Sequence, residues 1–194
     1  MSDVGEERPP RIIFTGAPGA GKTSLLRASE LEGFAVVEEA ATDVIALEQA
    51  QGVDAPWLTP DFIEKVLRLQ EQRADRARSH SGPVLFDRSP YCTLALARYL
   101  GLTPPGALLQ ELDRIEANGV YDRSVVFVGS LGFITPTPAR RIGLEEAARF
   151  ADVHREVYEK RGFELIDLPA ASIEDRVCRV CDALGFKTVR GLQV

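Results

Sequence analysis

The stretch from Arg11 to Ala28 leaves this chain few folds to choose from. A short apolar run, Ile12 to Phe14, leads into Gly16-x4-Gly21-Lys22-Thr23, and a helical pattern follows at once. Strand, glycine-rich loop and helix in that order form the arrangement that cradles phosphate, the P-loop pattern. Each residue type has a physical reason. Gly16, Gly19 and Gly21 let the backbone curl so that successive N–H groups face one anion. The helix that starts near Gly21 adds the positive end of its dipole. Lys22 has the reach for the β- and γ-phosphates of a nucleoside triphosphate, and the Thr23 hydroxyl suits Mg²⁺. Gly16, Ala17, Pro18, Gly19, Ala20, Gly21, Lys22, Thr23 and Ser24 are therefore the expected nucleotide-binding residues.

The rest of the chain is compatible with one domain built on that start. Its 194 residues can bury a sizeable core, and 45% hydrophobic with 27% charged residues is ordinary for a globular protein. A net charge of −6 argues against broad electrostatic capture of nucleic acid or of an anionic membrane. No apolar stretch reaches the length of a membrane span. Residues 1–10 are acidic, end in proline and lack an apolar signal region; they are expected to form a flexible tail, with 11–194 a single nucleotide-binding domain. Three cysteines suit a reducing cytoplasm rather than a disulfide framework. Cys178 and Cys181 form a lone C-x-x-C in a helical pattern, expected as small buried residues on one helix face; a zinc site needs four ligands.

Strands are expected at 12–14, 34–37, 83–86, 124–128 and 163–166. Helices are expected from Lys22 to about Glu30, through Glu48, from Asp61 to about Ser79, from Pro90 to about Leu100, and from Pro105 to Asn118. Two more run from Leu144 to Lys160 and from Ser172 to Leu184. Strands alternating with helices call for a mostly parallel five-stranded sheet covered on both faces, a three-layer α/β/α fold. Periodicity does not reveal the strand order.

Several polar residues fall at strand ends, where open α/β sheets bind ligands. Val84-Leu-Phe-Asp87 is an apolar strand delivering a carboxylate, and a hard cation wants oxygen ligands, so Asp87 with Thr23 is the expected Mg²⁺ site. Arg88 can hold a phosphate or the transferring phosphoryl group with two parallel hydrogen bonds. Glu38 and Glu39 close the second strand; alternation lets one of them face the site, and local physics does not separate them. Arg140 and Arg141 follow the Pro136 and Pro138 segment and suit a lid, near 129–160, that supplies an arginine in cis. Arg149 and Arg155 rank below them. His154 is expected on the surface or in packing, and Trp57, beside Pro56, in packing rather than stacked on a base.

Taken together these residues resemble the P-loop kinase superfamily. They are similar in particular to small AAA-type ATP-binding proteins related to the kinase domain of bacterial ribosylnicotinamide kinases. The likeness covers roughly residues 11 to 185 and rests on Gly16–Thr23, Glu39-Ala-Ala-Thr-Asp, Leu85-Phe-Asp-Arg-Ser-Pro90 and the segment from Pro138 through His154 to Glu159. Asp87-Arg88-Ser89 resembles an element of thymidylate and deoxynucleoside kinases. That resemblance implies strand order 2-3-1-4-5, Glu39 near the acceptor hydroxyl, Arg88 on its phosphate or reactive oxygen, Arg140 and Arg141 in a lid, and Pro169 with Ala170 beside the adenine.

The resulting expectation is an ATP- and Mg²⁺-dependent phosphotransferase acting on a small molecule such as a nucleoside or nucleotide. Catalysis would fall to Lys22, Glu39, Asp87, Arg88, Arg140 and Arg141. The alternative is an ATP-dependent regulatory switch with slow hydrolysis. No Asn-Lys-x-Asp guanine signature is present, which argues against an ordinary GTPase. With neither a second-region arginine finger nor a C-terminal helical domain, a monomer or dimer is expected rather than a hexameric ring.

Overall fold

Three consecutive apolar residues can stay on a strand only if both sheet faces are covered, and β1 (Arg11–Gly16) is buried along its whole length. In this computed structural model, which describes residues 8–133 and 142–186, β1 is the middle strand of five. The others are β2 (Ala35–Val37), β3 (Val84–Asp87), β4 (Ser124–Val128) and β5 (Glu164–Leu168), in the order β2-β3-β1-β4-β5. Every pairing is parallel, with Ile13 opposite Phe86 on one side and Val125 on the other. This is the order the kinase resemblance implies.

Among the described residues six α-helices lie in the crossovers, α1 (Lys22–Leu31), α2 (Ala40–Ala50), α3 (Phe62–Ala77), α4 (Pro90–Tyr99), α5 (Gly106–Ala117) and α6 (Leu144–Lys160), and a seventh, α7 (Ile173–Ala183), follows β5. The period of two along β1 divides the core. Ile13 joins Phe62, Val66, Leu94 and Leu112 on the face covered by α2 to α5, where α6 adds Val157 and Tyr158. Ile12 and Phe14 point the other way, onto Leu25 and Leu26 of α1 and Val177 and Val180 of α7. Among the described residues, no helix is long and apolar enough to cross a membrane.

Departures from the sequence expectations have packing causes. Phe34 precedes β2 instead of opening it, because its ring packs on Phe186, 5.4 Å between centroids. Phe163 likewise lies outside β5. Its ring meets Tyr91 and Tyr158 at 4.8 and 5.3 Å, and its N–H donates to the Tyr158 carbonyl. Strand β5 runs two residues further than expected, to Leu168, because Asp167 and Leu168 pair with Phe127 and Val128 of β4. Asp87 belongs to β3 itself. A short 3-10 turn at Pro56–Leu58 was not foreseen. Cys178 is exposed and only Cys181 is buried, so the C-x-x-C pair does not share one buried face.

The chain leaves β1 at Gly16, where φ is +123° and a Cβ would lie 2.3 Å from the carbonyl oxygen of Val128. A side chain there meets both backbone strain and a backbone wall. Gly33, also at positive φ, has nothing within 4 Å of the same probe atom. Gly16→Ala should therefore destabilise by about 3 kcal/mol or more and Gly33→Ala by about 1 kcal/mol, read by urea unfolding. Equal losses would mean that contact with β4 does not decide the requirement at Gly16.

Candidate active site

Parallel strands deliver their carboxyl ends to one edge of the sheet, and the glycine loop occupies the centre of that edge because β1 is central. Gly19 and Gly21 take φ of +81° and +82°, and Gly21 in the left-handed region opens α1. The first turn of α1 holds no acidic residue, so its positive end is left uncompensated by its own sequence. Lys22 is 6% exposed and its Nζ donates to the Ala17 carbonyl at 3.0 Å, curling over the loop. Burial, and then the neighbouring Arg88, pull its pKa down to about 8 against the opposing pull of Asp87 and Glu39.

Asp87 ends β3 beside this loop and is almost fully buried. The Thr23 hydroxyl donates to its Oδ2 at 3.0 Å, while Oδ1 is buried and has no hydrogen-bond partner. Burial, followed by the Glu39 carboxylate, raises the Asp87 pKa; Lys22, Arg88 and the Thr23 hydroxyl oppose that rise. A partnerless buried carboxylate oxygen next to a hydroxyl is a hard, oxygen-only donor pair, which fits Mg²⁺ sharing its remaining ligands with phosphate and water. The described residues include no group of three or more His, Cys, Asp or Glu side chains able to hold a metal by themselves.

Arg88 is the one non-glycine residue at positive φ among the described residues, at 73°. Such strain in a bulky residue persists where surrounding contacts hold it. Here Nε donates to Glu39 Oε1 at 2.5 Å and Nη1 to His154 Nε2 at 2.9 Å. No acceptor among the described residues is bonded to Nη2. Because arginine only donates, His154 must accept at Nε2, so its proton sits on Nδ1 and is donated to the Phe150 carbonyl at 2.8 Å. Burial, then Arg88, hold the His154 pKa well below the ordinary value. Glu39 lines the cavity whereas Glu38 is exposed, which separates the two glutamates that local sequence left open. Burial acts to raise the Glu39 pKa, but Arg88, Lys22 and the Thr42 hydroxyl outweigh it and hold the carboxyl below its usual range. Arg73 of α3 donates to the carbonyls of Glu38 and Glu39 and pairs with Asp43, clamping the turn on which Glu39 stands.

These groups face one cavity of about 390 Å³. Pro18, Gly19, Gly21, Lys22, Thr23 and Ser24 of the phosphate loop line it. Gly16, Ala17 and Ala20 do not line it; Gly16 packs on β4, and the two alanines are buried. The lining also includes the apolar and aromatic side chains of Trp57, Phe62, Val66, Leu96, Tyr99 and Phe150, with Gln70 and Thr93 as neutral polar groups. The Thr93 hydroxyl donates to Gln70 Oε1 at 2.7 Å. Glu39 and Arg88 line the same cavity as both groups.

Pro169 and Ala170 are exposed on the loop after β5 and do not line the cavity. Arg140 and Arg141 lie outside the described residues. Arg149 is exposed, and Arg155 is engaged with Asp167 and the Phe127 ring. Of the two places expected for His154, surface or packing, the structure shows the packed one: it is fully buried and bonded to Arg88. A helical spacing could have found it, since Ala147, Phe150, His154, Val157 and Tyr158 form the buried side of α6. Arg73 and Gln70 carried no comparable sequence signal.

The sheet order and the loop-to-helix turn on β1 define a three-layer P-loop fold of the kinase type. Among solved structures, deoxyadenosine kinase from M. mycoides with bound dATP superposes with a TM-score of 0.59 at 14% identity, over 90% of this chain and 99% of that one. The NadR protein in complex with NAD and AMP-PNP gives 0.67 at 18% identity, over 94% of this chain and 51% of that one, so this chain spans about half of NadR. A second NadR structure, in complex with NR, gives 0.68 at 17% identity over 94% and 53%. Likeness at such identities is likeness of fold. A search of curated protein sequences finds no match. Residues 11–176 match the AAA domain family, and the chain belongs to it.

The tautomer assigned to His154 can be read directly. Nitrogen-detected NMR should show its ring neutral, with the proton on Nδ1, at pH 6.5, where an unperturbed histidine is half charged. A charged or Nε2-protonated ring would remove the acceptor for Arg88.

Proposed function

We propose that this chain is a cytoplasmic, ATP- and Mg²⁺-dependent phosphotransferase whose acceptor is an uncharged hydroxyl compound of nucleoside size. The reading is carried by one observation: a single cavity is lined both by the phosphate loop and by a group of apolar and aromatic side chains, with Glu39 and Arg88 in the same lining. A nucleotide switch needs the phosphate loop and has no use for the apolar group. The kinase-type neighbours and the family support the same class without identifying the acceptor.

Thr23 and Asp87 would hold Mg²⁺, which when bound neutralises phosphate charge. Lys22 and the loop amides bind the β- and γ-phosphates, with the ammonium leaving the Ala17 carbonyl for phosphate oxygen. Glu39, kept ionised by Arg88, accepts a hydrogen bond from the acceptor hydroxyl and aims its oxygen at the γ-phosphorus. A depressed pKa makes it a weak base, suited to orienting the hydroxyl and taking its proton late, as a loose transition state requires. The new P–O bond forms as the bond to the β-phosphate bridging oxygen breaks, releasing ADP. Arg88, fixed through Nε and Nη1, can offer Nη2 to the transferring group.

The acceptor's charge follows from the lining. Lys22 and Arg88 are the cations among the described lining residues, and Arg88 is already engaged by Glu39 and His154. Beyond them the described lining is apolar apart from the Glu39 carboxylate and Gln70, Thr93 and other neutral groups, so a second phosphate on the acceptor would meet no further cation among the described residues.

Labelled ATP with Mg²⁺ and a panel of nucleosides, nucleotides and other hydroxyl compounds should yield a phosphorylated product from an uncharged member. Lys22→Ala should lower turnover by about 100-fold or more. ATP hydrolysis that no compound accelerates, with no labelled product, would favour the switch instead.

Nucleotide binding should also depend on pH with a definite sign. A bound polyanion raises the Lys22 pKa above its free value of about 8, so binding takes up a proton between the two. Affinity for Mg·ATP should therefore fall as pH rises past 8, with proton uptake measurable by calorimetry in buffers of different ionisation heat. An affinity that is flat from pH 7 to 9 would contradict the role given to Lys22.

A further inference from the structure

Arg176 stands one turn into α7 and is only 2% exposed. Each of its nitrogens donates to a backbone carbonyl: Nη1 to Ala20 at 2.8 Å, Nε to Pro169 at 3.0 Å and Nη2 to Gly129 at 3.1 Å. The three carbonyls belong to three different segments, the loops that leave β1, β5 and β4. Its Nη1 lies directly behind the phosphate loop, where a Cβ on Gly21 would come within 3.5 Å of it.

This is an expensive way to fill a core position. A guanidinium is out of water near the positive end of its own helix, and no carboxylate pairs with it among the described residues. Burial lowers its pKa with no charged neighbour contributing. An apolar side chain would satisfy the local packing with Val177 and Val180 at smaller electrostatic cost. What an apolar side chain cannot do is join three loops through one rigid plane.

The geometry points to Arg176 as a positioning residue of the nucleotide site: it locks the phosphate loop to the loops after β4 and β5, so that the phosphate end and the outer end of a bound nucleotide meet one rigid surface. The inference rests on the reading of the chain as a nucleotide-binding enzyme. Arg176 acts through the backbone and touches no reacting atom. Its planar fork reaches three acceptors at fixed angles, which the point charge of lysine does not reproduce. The curl of the phosphate loop itself is set by its glycines, so a ligand consisting of phosphates alone should hardly sense the loss.

The test is calorimetric titration of Mg·AMP-PNP and, separately, of inorganic tripolyphosphate into the wild-type chain, Arg176→Lys and Arg176→Met, with thermal unfolding of each. Both variants should bind AMP-PNP about tenfold more weakly or worse, while tripolyphosphate affinity stays within about threefold of wild type. A wild-type chain that does not bind AMP-PNP would defeat the nucleotide reading itself. If the wild type binds, an Arg176→Lys chain that binds AMP-PNP as tightly overturns the inference, and so does a parallel loss of both ligands. Should neither variant fold, hydrogen exchange on the wild type decides. AMP-PNP must slow exchange at 17–24 together with 130–133 and 170–172, and protection confined to 17–24 overturns the inference.

Discussion

Two cations and two carboxylates, Lys22, Arg88, Glu39 and Asp87, are withdrawn from water at one edge of the sheet, and the rest of the molecule is arranged around keeping them there. Charges in such a place are tolerated only when they are paired and hydrogen-bonded. Glu39 and Arg88 satisfy each other at 2.5 Å, Thr23 serves one oxygen of Asp87, and Lys22 falls back on a carbonyl of its own loop. One carboxylate oxygen, Oδ1 of Asp87, is left over. The set is close to electrical balance and has one open coordination point. That is a sensible resting state for the proposed site, which would admit a metal and several phosphate charges.

The fold explains why these four can meet at all. β1, β2 and β3 are adjacent and parallel, so the loop after β1, the turn after β2 and the end of β3 come out side by side. Residues far apart in the chain then complete one another. His154 in α6 fixes the guanidinium of Arg88, and Arg73 in α3 holds the backbone beneath Glu39. The cavity that results brings a loop of amides and an ammonium together with aromatic and apolar walls.

Much of this was legible in the sequence, for reasons that can be stated. The glycine spacing and the lysine–threonine pair express a backbone requirement, and such requirements are local. Asp87 could be placed because a short apolar run ending in a carboxylate marks the end of a buried strand. The strand order came from family resemblance, since periodicity carries no information about which strands are neighbours. His154, Arg73 and Arg176 escaped because their partners are 66, 34 and 156 positions away. A polar side chain that serves a distant carbonyl or guanidinium leaves no local sign of its partner, even where, as for His154, helical spacing marks its burial. Phe34 and Phe163 looked like strand residues by propensity, yet aromatic packing drew both out of the sheet. Family resemblance alone favours Glu39 over Glu38 in the sequence, and the physical reason is the partner, Arg88.

The most direct measurement is a crystal structure of the chain with Mg²⁺, AMP-PNP and an unphosphorylated acceptor. The account predicts that the Lys22 ammonium has left the Ala17 carbonyl for oxygens of the β- and γ-phosphates. It also predicts a metal within about 2.1 Å of the Thr23 hydroxyl oxygen, with Asp87 in its coordination sphere directly or through water. The acceptor hydroxyl should lie between Glu39 and the γ-phosphorus. A nucleotide bound elsewhere, or one bound in the loop while Lys22 keeps its bond to Ala17, would contradict it.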